Sequence, residues 1–199
     1  MSFDVRRLAA ADAPALRAMR IEAFTLHPRE FRSTPAEEAA RPLARLEVGI
    51  ARDNVLGLFD GEALVGAAGL AIEARAKLKH KATIRGVFVR PTHRGQGGAE
   101  RLLRALLAEA ARREVEAVHL VVSDGNGPAL RLYTRLGFAP WAFEPRALRL
   151  EDGSFVDEIT MVRRLTEDDA RDAALQSIKR ERRPLPADFK FDREEANER

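Results

Sequence analysis

Between Ala99 and Arg113 the apolar residues fall at Ala99, Leu102, Leu103, Leu106, Leu107 and Ala110. That spacing lays one unbroken stripe along a helix. A second helix is expected from Asp12, a good N-cap, to about Thr25, with Leu16, Met19 and Ile21 among its apolar positions. His27-Pro28 ends it, since proline pushes its predecessor out of helical geometry. A weaker, acid-started helix is expected over Ala36–Val48. The strand signals are equally local. Ser2–Leu8 reads as a short strand, and Val55–Phe59, Asp60-Gly61 and Ala63–Ile72 read as a hairpin closed by a tight turn. Ala82–Arg90 is another strand, ended by Pro91, and Val118–Val122 is a short β-branched one. Ser123–Gly127 forms a turn, Pro128 opens a helix at its first position, and Gly137 closes it with Phe138 packing back. Two last strands are expected near Arg146–Leu150 and Phe155–Val162, around the turn Glu151-Asp152-Gly153.

The resulting order, β-α-α-β-β-β-α-β-α-β-β, describes an α/β or α+β domain. Its sheet must be mixed, because hairpins pair antiparallel strands while the strand–helix–strand crossover from Ala82 to Val122 makes a parallel pair. After Arg164 the texture changes to mixed acidic and basic residues with Pro184 and Pro186. Ala173–Arg183 could form a short helix there, yet Leu175 and Ile178 offer little to bury. The stretch 166–199 reads as a charged, flexible C-terminal tail following one domain over 1–165.

Composition narrows the chemistry. The 199 residues include no cysteine, which removes disulfides, thiolate nucleophiles and Cys-ligated metals. The four histidines show no ligand spacing, so no metal is expected. Thirty-four Lys+Arg against 31 Asp+Glu give a net charge of +3, too balanced for a nucleic-acid-binding surface. No apolar run reaches the roughly 20 residues of a membrane span, and the N-terminus lacks a signal-peptide stretch. A cytoplasmic protein without membrane or nucleic-acid partners is the expectation.

The strongest motif is Val87-Phe88-Val89-Arg90-Pro91-Thr92-His93-Arg94-Gly95-Gln96-Gly97-Gly98-Ala99: strand, glycine-rich loop, helix start. Glycines at a helix N-terminus let successive amides turn toward one point, where the helix dipole adds positive potential. No Gly-Lys-Ser/Thr follows, and G-x-G-x-x-G is absent, so neither a Walker loop nor a dinucleotide fingerprint is present. Spacing alone supports an anion site and a plain tight turn equally.

Arg94-x-x-Gly97-x-Ala99 and, further on, Asn126-x-x-Ala129-Leu130-x-x-Tyr133-x-x-x-Gly137-Phe138 resemble two conserved segments of the GNAT superfamily of N-acetyltransferases. The resemblance covers roughly residues 2–165. It implies a mixed, mostly antiparallel central sheet with helices on both faces, and acetyl transfer from acetyl-CoA to a primary amine in a ternary complex. It further implies that the loop residues Arg94, Gly95, Gln96, Gly97, Gly98, Ala99 and Glu100 bind the cofactor, with backbone amides from about Gln96 to Glu100 wrapping the pyrophosphate, that main-chain groups of Val87 and Val89 bond the thioester and pantetheine, that Asn126 touches the cofactor, and that Tyr133 protonates the leaving thiolate. From periodicity alone Tyr133, the chain's single tyrosine, would be a half-buried core residue on the face of Leu130 and Leu136. Asn126 would be a turn residue.

A base for the amine is harder to find. Strand alternation places Thr83 and Arg85 on the face of Val87 and Val89, and neither side chain can accept a proton. The strand therefore offers no base, and Arg85 becomes a candidate for binding a substrate carboxylate. Other candidates for base or acceptor contacts are Glu73, His80 and Glu158, with Glu22 and Glu37 on the N-terminal helices. The cluster Arg75–Lys81 reads as a solvated basic loop or an electrostatic attractant. Two rival functions stand beside acetyl transfer: an acyl-CoA-binding regulatory module without turnover, favoured by the missing strand base, and a protein-binding role for the tail. The acceptor, small molecule or peptide, is unspecified, and so is the oligomeric state, with a homodimer among the options.

Overall fold

In a computed structural model, residues 3–181 of the chain are described. The elements run β1 (Asp4–Arg7), α1 (Ala13–Leu26), α2 (Pro35–Ala40), α3 (Leu43–Arg52), β2 (Val55–Asp60), β3 (Ala63–Ile72) and β4 (Lys81–Val89). They continue with α4 (Gly98–Arg112), β5 (Ala117–Ser123), α5 (Gly127–Arg135), β6 (Ala139–Arg149), β7 (Phe155–Arg164) and α6 (Glu167–Glu181). The strands form one sheet in the order β1-β2-β3-β4-β5-β7-β6. Every neighbouring pair is antiparallel except β4–β5, which the α4 crossover makes parallel.

Each face of the sheet is covered by its own core. On one side the stripe of α4 is fully inserted: Leu102, Leu103 and Leu106 are buried against Leu58, Val65, Leu70, Ile84 and Val118. Each such leucine contributes about 1.5–3 kcal/mol of transfer free energy. On the other side α1 and α3 pack Leu16, Met19, Leu46 and Ile50 against Phe59, Ala67 and Phe88. Gly98 opens α4 where a Cβ would meet Leu58 Cδ2 at 2.5 Å, so the helix start lies tight on the sheet because it has no side chain there.

Several expectations shift. The helix expected over Ala36–Val48 is two helices, because Pro42 cannot donate an amide and holds Arg41 extended at ψ 128°. The last hairpin starts earlier than Arg146: β6 runs from Ala139, and its register slips between Pro140 and Ala142 and between Glu144 and Leu148. An edge strand tolerates its prolines in this way. Asp12 does not cap α1 with its side chain. Its carboxylate instead takes two bonds of 2.8 Å from the Arg6 guanidinium and one of 2.8 Å from the Ala9 amide. Within the stretch read as tail, α6 begins behind Thr166, whose hydroxyl and amide exchange hydrogen bonds with Asp169. Asp169 pairs with Arg163 of β7, and Ala173 is buried. Residues 182–199 of that tail lie outside the described residues.

Candidate active site

Strands β4 and β5 pair only at Lys81–Ala117, Ala82–Val118 and Thr83–His119, and then part. The cause is local. Ala67 of β3 pairs with Phe88 and Gly69 with Arg85, so the single residue Ala68 stands opposite both Gly86 and Val87. This bulge, with Gly86 at φ +63°, bends β4 away from its parallel neighbour. Two cavities open at the parting. One, of about 500 Å³, lies toward α4 and α5 and is lined by Val87, Val89, Ala99, Asn126, Ala129 and Tyr133. The other, of about 590 Å³, lies under α1 and α3. They share Glu30, Phe31, Ile84, Arg85, Phe88 and Val121 as walls, so they meet in the gap between the strands.

At the rim of the first cavity the glycine loop takes the shape its sequence calls for. Gly95 and Gly97 both adopt φ +77°, with open space in front of each. The hydrogen bonds resume at Arg101 N to Gly97 O, 3.0 Å, after Arg94 N to Pro91 O, 3.3 Å; the amides of residues 95–100 between them have no partner among the described residues. Six successive free amides at a helix start suit a diphosphate. The arginine of the motif serves the backbone instead: Arg94 Nε donates to Val89 O at 2.9 Å, tying the loop to the end of β4. Glu100 faces Arg104 at 2.8 Å and Arg135 at 3.1 Å, and their hydrogen bonds hold its carboxyl below the usual range. Two cations thus outnumber the one anion beside the loop. Gly98 is occupied in packing.

Tyr133 on α5 is buried, its ring edge-on to Phe138 with centroids 6.1 Å apart. Burial pushes its phenol up to about 12. Asn126 caps α5, its Oδ1 accepting from the Ala129 amide at 3.2 Å, and the residue forms part of the first cavity's wall.

Two residues outside the sequence motifs, His27 and Glu30, also line the first cavity. Arg94 donates to His27 Nε2 at 2.8 Å. A guanidinium can only donate, so Nε2 accepts and the ring proton sits on Nδ1, 3.9 Å from the Glu30 carboxylate. Glu30 lines both cavities. The local signal, Pro28-Arg29-Glu30-Phe31 after a helix stop, marks a loop but not its position.

The second cavity is lined by six arginines, 20, 32, 41, 45, 52 and 85, and by the carboxylates of Glu30, Asp53 and Glu158. Arg85 was expected on the face of Val87 and Val89. The bulge inverts that parity: Arg85 reaches Asp53 on the α1–α3 side, while Val87 packs in the α4 core. Burial raises the Asp53 carboxyl, but the hydrogen bond from Arg52 and the charges of Arg85 and Arg52 outweigh it and leave the group below its ordinary value. Glu158, 4% exposed, is held by Arg32. The other acceptor-side candidates lie elsewhere. Glu22 pairs with Arg90 at 2.9 Å, Glu37 forms the capping box of α2 with Thr34, Glu73 precedes the Arg75–Lys81 loop and His80 lies within it; none lines either cavity. Among the described residues no group of three or more His, Asp or Glu is placed to hold a metal, and no helix is long and apolar enough to cross a membrane.

The acetyltransferase (GNAT) family profile matches residues 16–138. Mycothiol acetyltransferase of Brachybacterium faecium is 35% identical over 127 residues, 64% of this chain and 38% of that protein, so the chain spans under two fifths of that relative. Among solved structures, an acetyltransferase of the GNAT family from Streptococcus pneumoniae has a similar fold (TM-score 0.74, 18% identity, 82% of this chain and 100% of that one). So has a Salmonella typhimurium protein solved with its cofactor acetyl-CoA (TM-score 0.69, 22% identity, 83% and 95%).

Proposed function

The chain belongs to the acetyltransferase (GNAT) family, and from that premise we propose that it moves an acetyl group from acetyl-CoA to a primary amine, the amine attacking the thioester directly while both are bound. The parting of β4 from β5 carries this reading. It joins a cavity rimmed by free loop amides to one large enough for an acceptor, with Tyr133 on the wall.

In this reading the amides of residues 95–100 hold the diphosphate, and the β4 main chain near Val87, released from β5, offers donors for the developing oxyanion. The amine nitrogen bonds to the carbonyl carbon, the C–S bond breaks, nitrogen loses one proton and sulfur gains one. Glu30, on the walls of both cavities, stands where the amine's proton departs, directly or across one water. Tyr133 donates a hydrogen bond to the sulfur. A phenol near 12 is a weaker acid than a thiol of about 8.5, so its contribution is greatest while charge builds on sulfur. The test is release of free thiol from acetyl-CoA across a panel of amines, with the acetylated product identified by mass. Tight acetyl-CoA binding without thiol release for any amine would favour the regulatory module instead.

A further inference from the structure

The cavity under α1 and α3 carries a charge arrangement that acetyl transfer alone does not require. Glu38 of α2 is fully buried, and both its oxygens face guanidiniums: Oε1 lies 3.1 Å from Arg20 Nε and Oε2 lies 3.2 Å from Arg41 Nε. Neither contact is aligned as a hydrogen bond. Neither arginine has another carboxylate partner among the described residues, so two positive charges share one negative charge. Both line the cavity, as does Arg85 from β4. Burial lowers the Arg20 guanidinium from its usual value, Glu38 opposes this, and the charges of Arg41 and Arg85 lower it further. The same guanidinium is backed by the Phe24 ring at 5.5 Å. Of the three acids on this wall, Asp53 and Glu158 are already taken by Arg52, Arg85 and Arg32, and Glu30 lies 3.9 Å from the His27 ring.

A partly desolvated guanidinium with open N–H groups and a surplus of positive charge around it is a receptor for a planar anion. Resting on the acetyl-transfer reading, we propose that the acceptor is an amino carboxylate, its carboxylate held among Arg20, Arg41 and Arg85 while its amine reaches the thioester past Phe88 and Glu30. The same surplus repels polycationic amines.

The test compares L-amino acids with their amides and with the corresponding decarboxylated amines, using the full chain and acetyl-CoA. Free amino acids are expected to show kcat/KM about 30-fold above their amides, the value of one or two charge-assisted hydrogen bonds. Arg20→Gln should collapse that ratio through KM and leave acetyl-CoA affinity unchanged. Because Arg20→Gln leaves Glu38 with less compensation, the double variant Arg20→Gln/Glu38→Gln, which removes one charge of each sign, is measured beside it and should give the same collapse. Amides or decarboxylated amines used as well as the free acids, or a ratio untouched in both variants, overturn the proposal. Should no amine release thiol, the acetyl-transfer reading fails separately. The anion site is then read by calorimetric binding of N-acetyl amino acids against their amides: preference for the acid, lost in the variants, supports it, and no preference overturns it.

Discussion

Arg85 and Val87 stand two residues apart on β4 yet on opposite faces of the sheet, Arg85 paired with Asp53 beneath α3 and Val87 packed in the α4 core. In a regular strand they would share a face. The extra residue at Gly86–Val87 leaves Arg85 on the wall that the two cavities share, paired toward α3, and turns Val87 into the cavity toward α4 and α5 alone. The bulge therefore stands at the gap where the two cavities meet, and in the proposed acetyl transfer it would divide the two substrates.

Gly86→Ala tests the bulge. At φ +63° no protein atom lies within 4 Å of a built Cβ, so the cost is backbone strain rather than collision. A left-handed alanine costs roughly 1–2 kcal/mol. The urea midpoint should fall accordingly, and kcat/KM should fall by more than stability explains, because the bulge relaxes toward regular pairing. An unchanged kcat/KM would show that the gap survives without it.

Gly97→Glu should abolish acetyl-CoA binding. The new carboxylate would project into open space from the loop that carries the free amides of residues 95–100, and repulsion from a diphosphate held there should weaken affinity at least about 100-fold. Gly61→Glu is the control. It has a comparable φ of +58° and equally open surroundings, but sits on the β2–β3 turn. Calorimetry should show coenzyme A binding kept in Gly61→Glu and lost in Gly97→Glu; equal binding in the two variants contradicts the loop assignment.

Tyr133→Phe should lower kcat by about 100-fold and leave acetyl-CoA affinity within a factor of about two. The pH dependence follows from burial. Because the folded-state value rises from 10.0 to about 12, the neutral phenol is favoured in the folded chain. Its contribution to stability is complete below pH 10 and is lost as pH rises through about 12. Any alkaline fall in kcat near pH 8–9 must then come from another group and should persist in Tyr133→Phe. Its disappearance in that variant would contradict the assignment.

What the sequence made legible was whatever is local. The α4 stripe, the glycine loop and the second motif ending at Gly137-Phe138 each declare themselves within about fifteen residues of chain; the stripe fills the core, while Arg94 and Ala99 at the loop and Asn126, Ala129 and Tyr133 of the second motif line one cavity. The acceptor side was not legible, since its residues are scattered. Glu38 is a first-turn acid that looks solvated until α1 closes over it, and Asp53 follows a helix end like any turn residue. The face of Arg85 was misread because alternation presumes unbroken pairing, and the bulge that breaks it is set by β3, not by β4 alone. The break at Pro42 is a different case: the single helix expected over Ala36–Val48 runs across a proline whose local effect is enough to divide it.

Asn126 offers a last discrimination, between holding a helix and holding a ligand. Its Oδ1 caps α5 through the Ala129 amide, and the residue forms part of the cofactor-side cavity's wall. Asn126→Asp keeps the acceptor and so keeps the cap, while exchanging the donor for a negative charge; Asn126→Ala removes both. Thermal melts should show Asn126→Asp near wild type and Asn126→Ala lower by about 1 kcal/mol. Acetyl-CoA affinity should fall in both, and further in Asn126→Asp, where the added charge faces the bound phosphates' side of the cavity. If affinity instead tracked stability, falling in Asn126→Ala alone, the residue would be a helix cap and nothing more, and the cofactor contact would have to come from the loop alone.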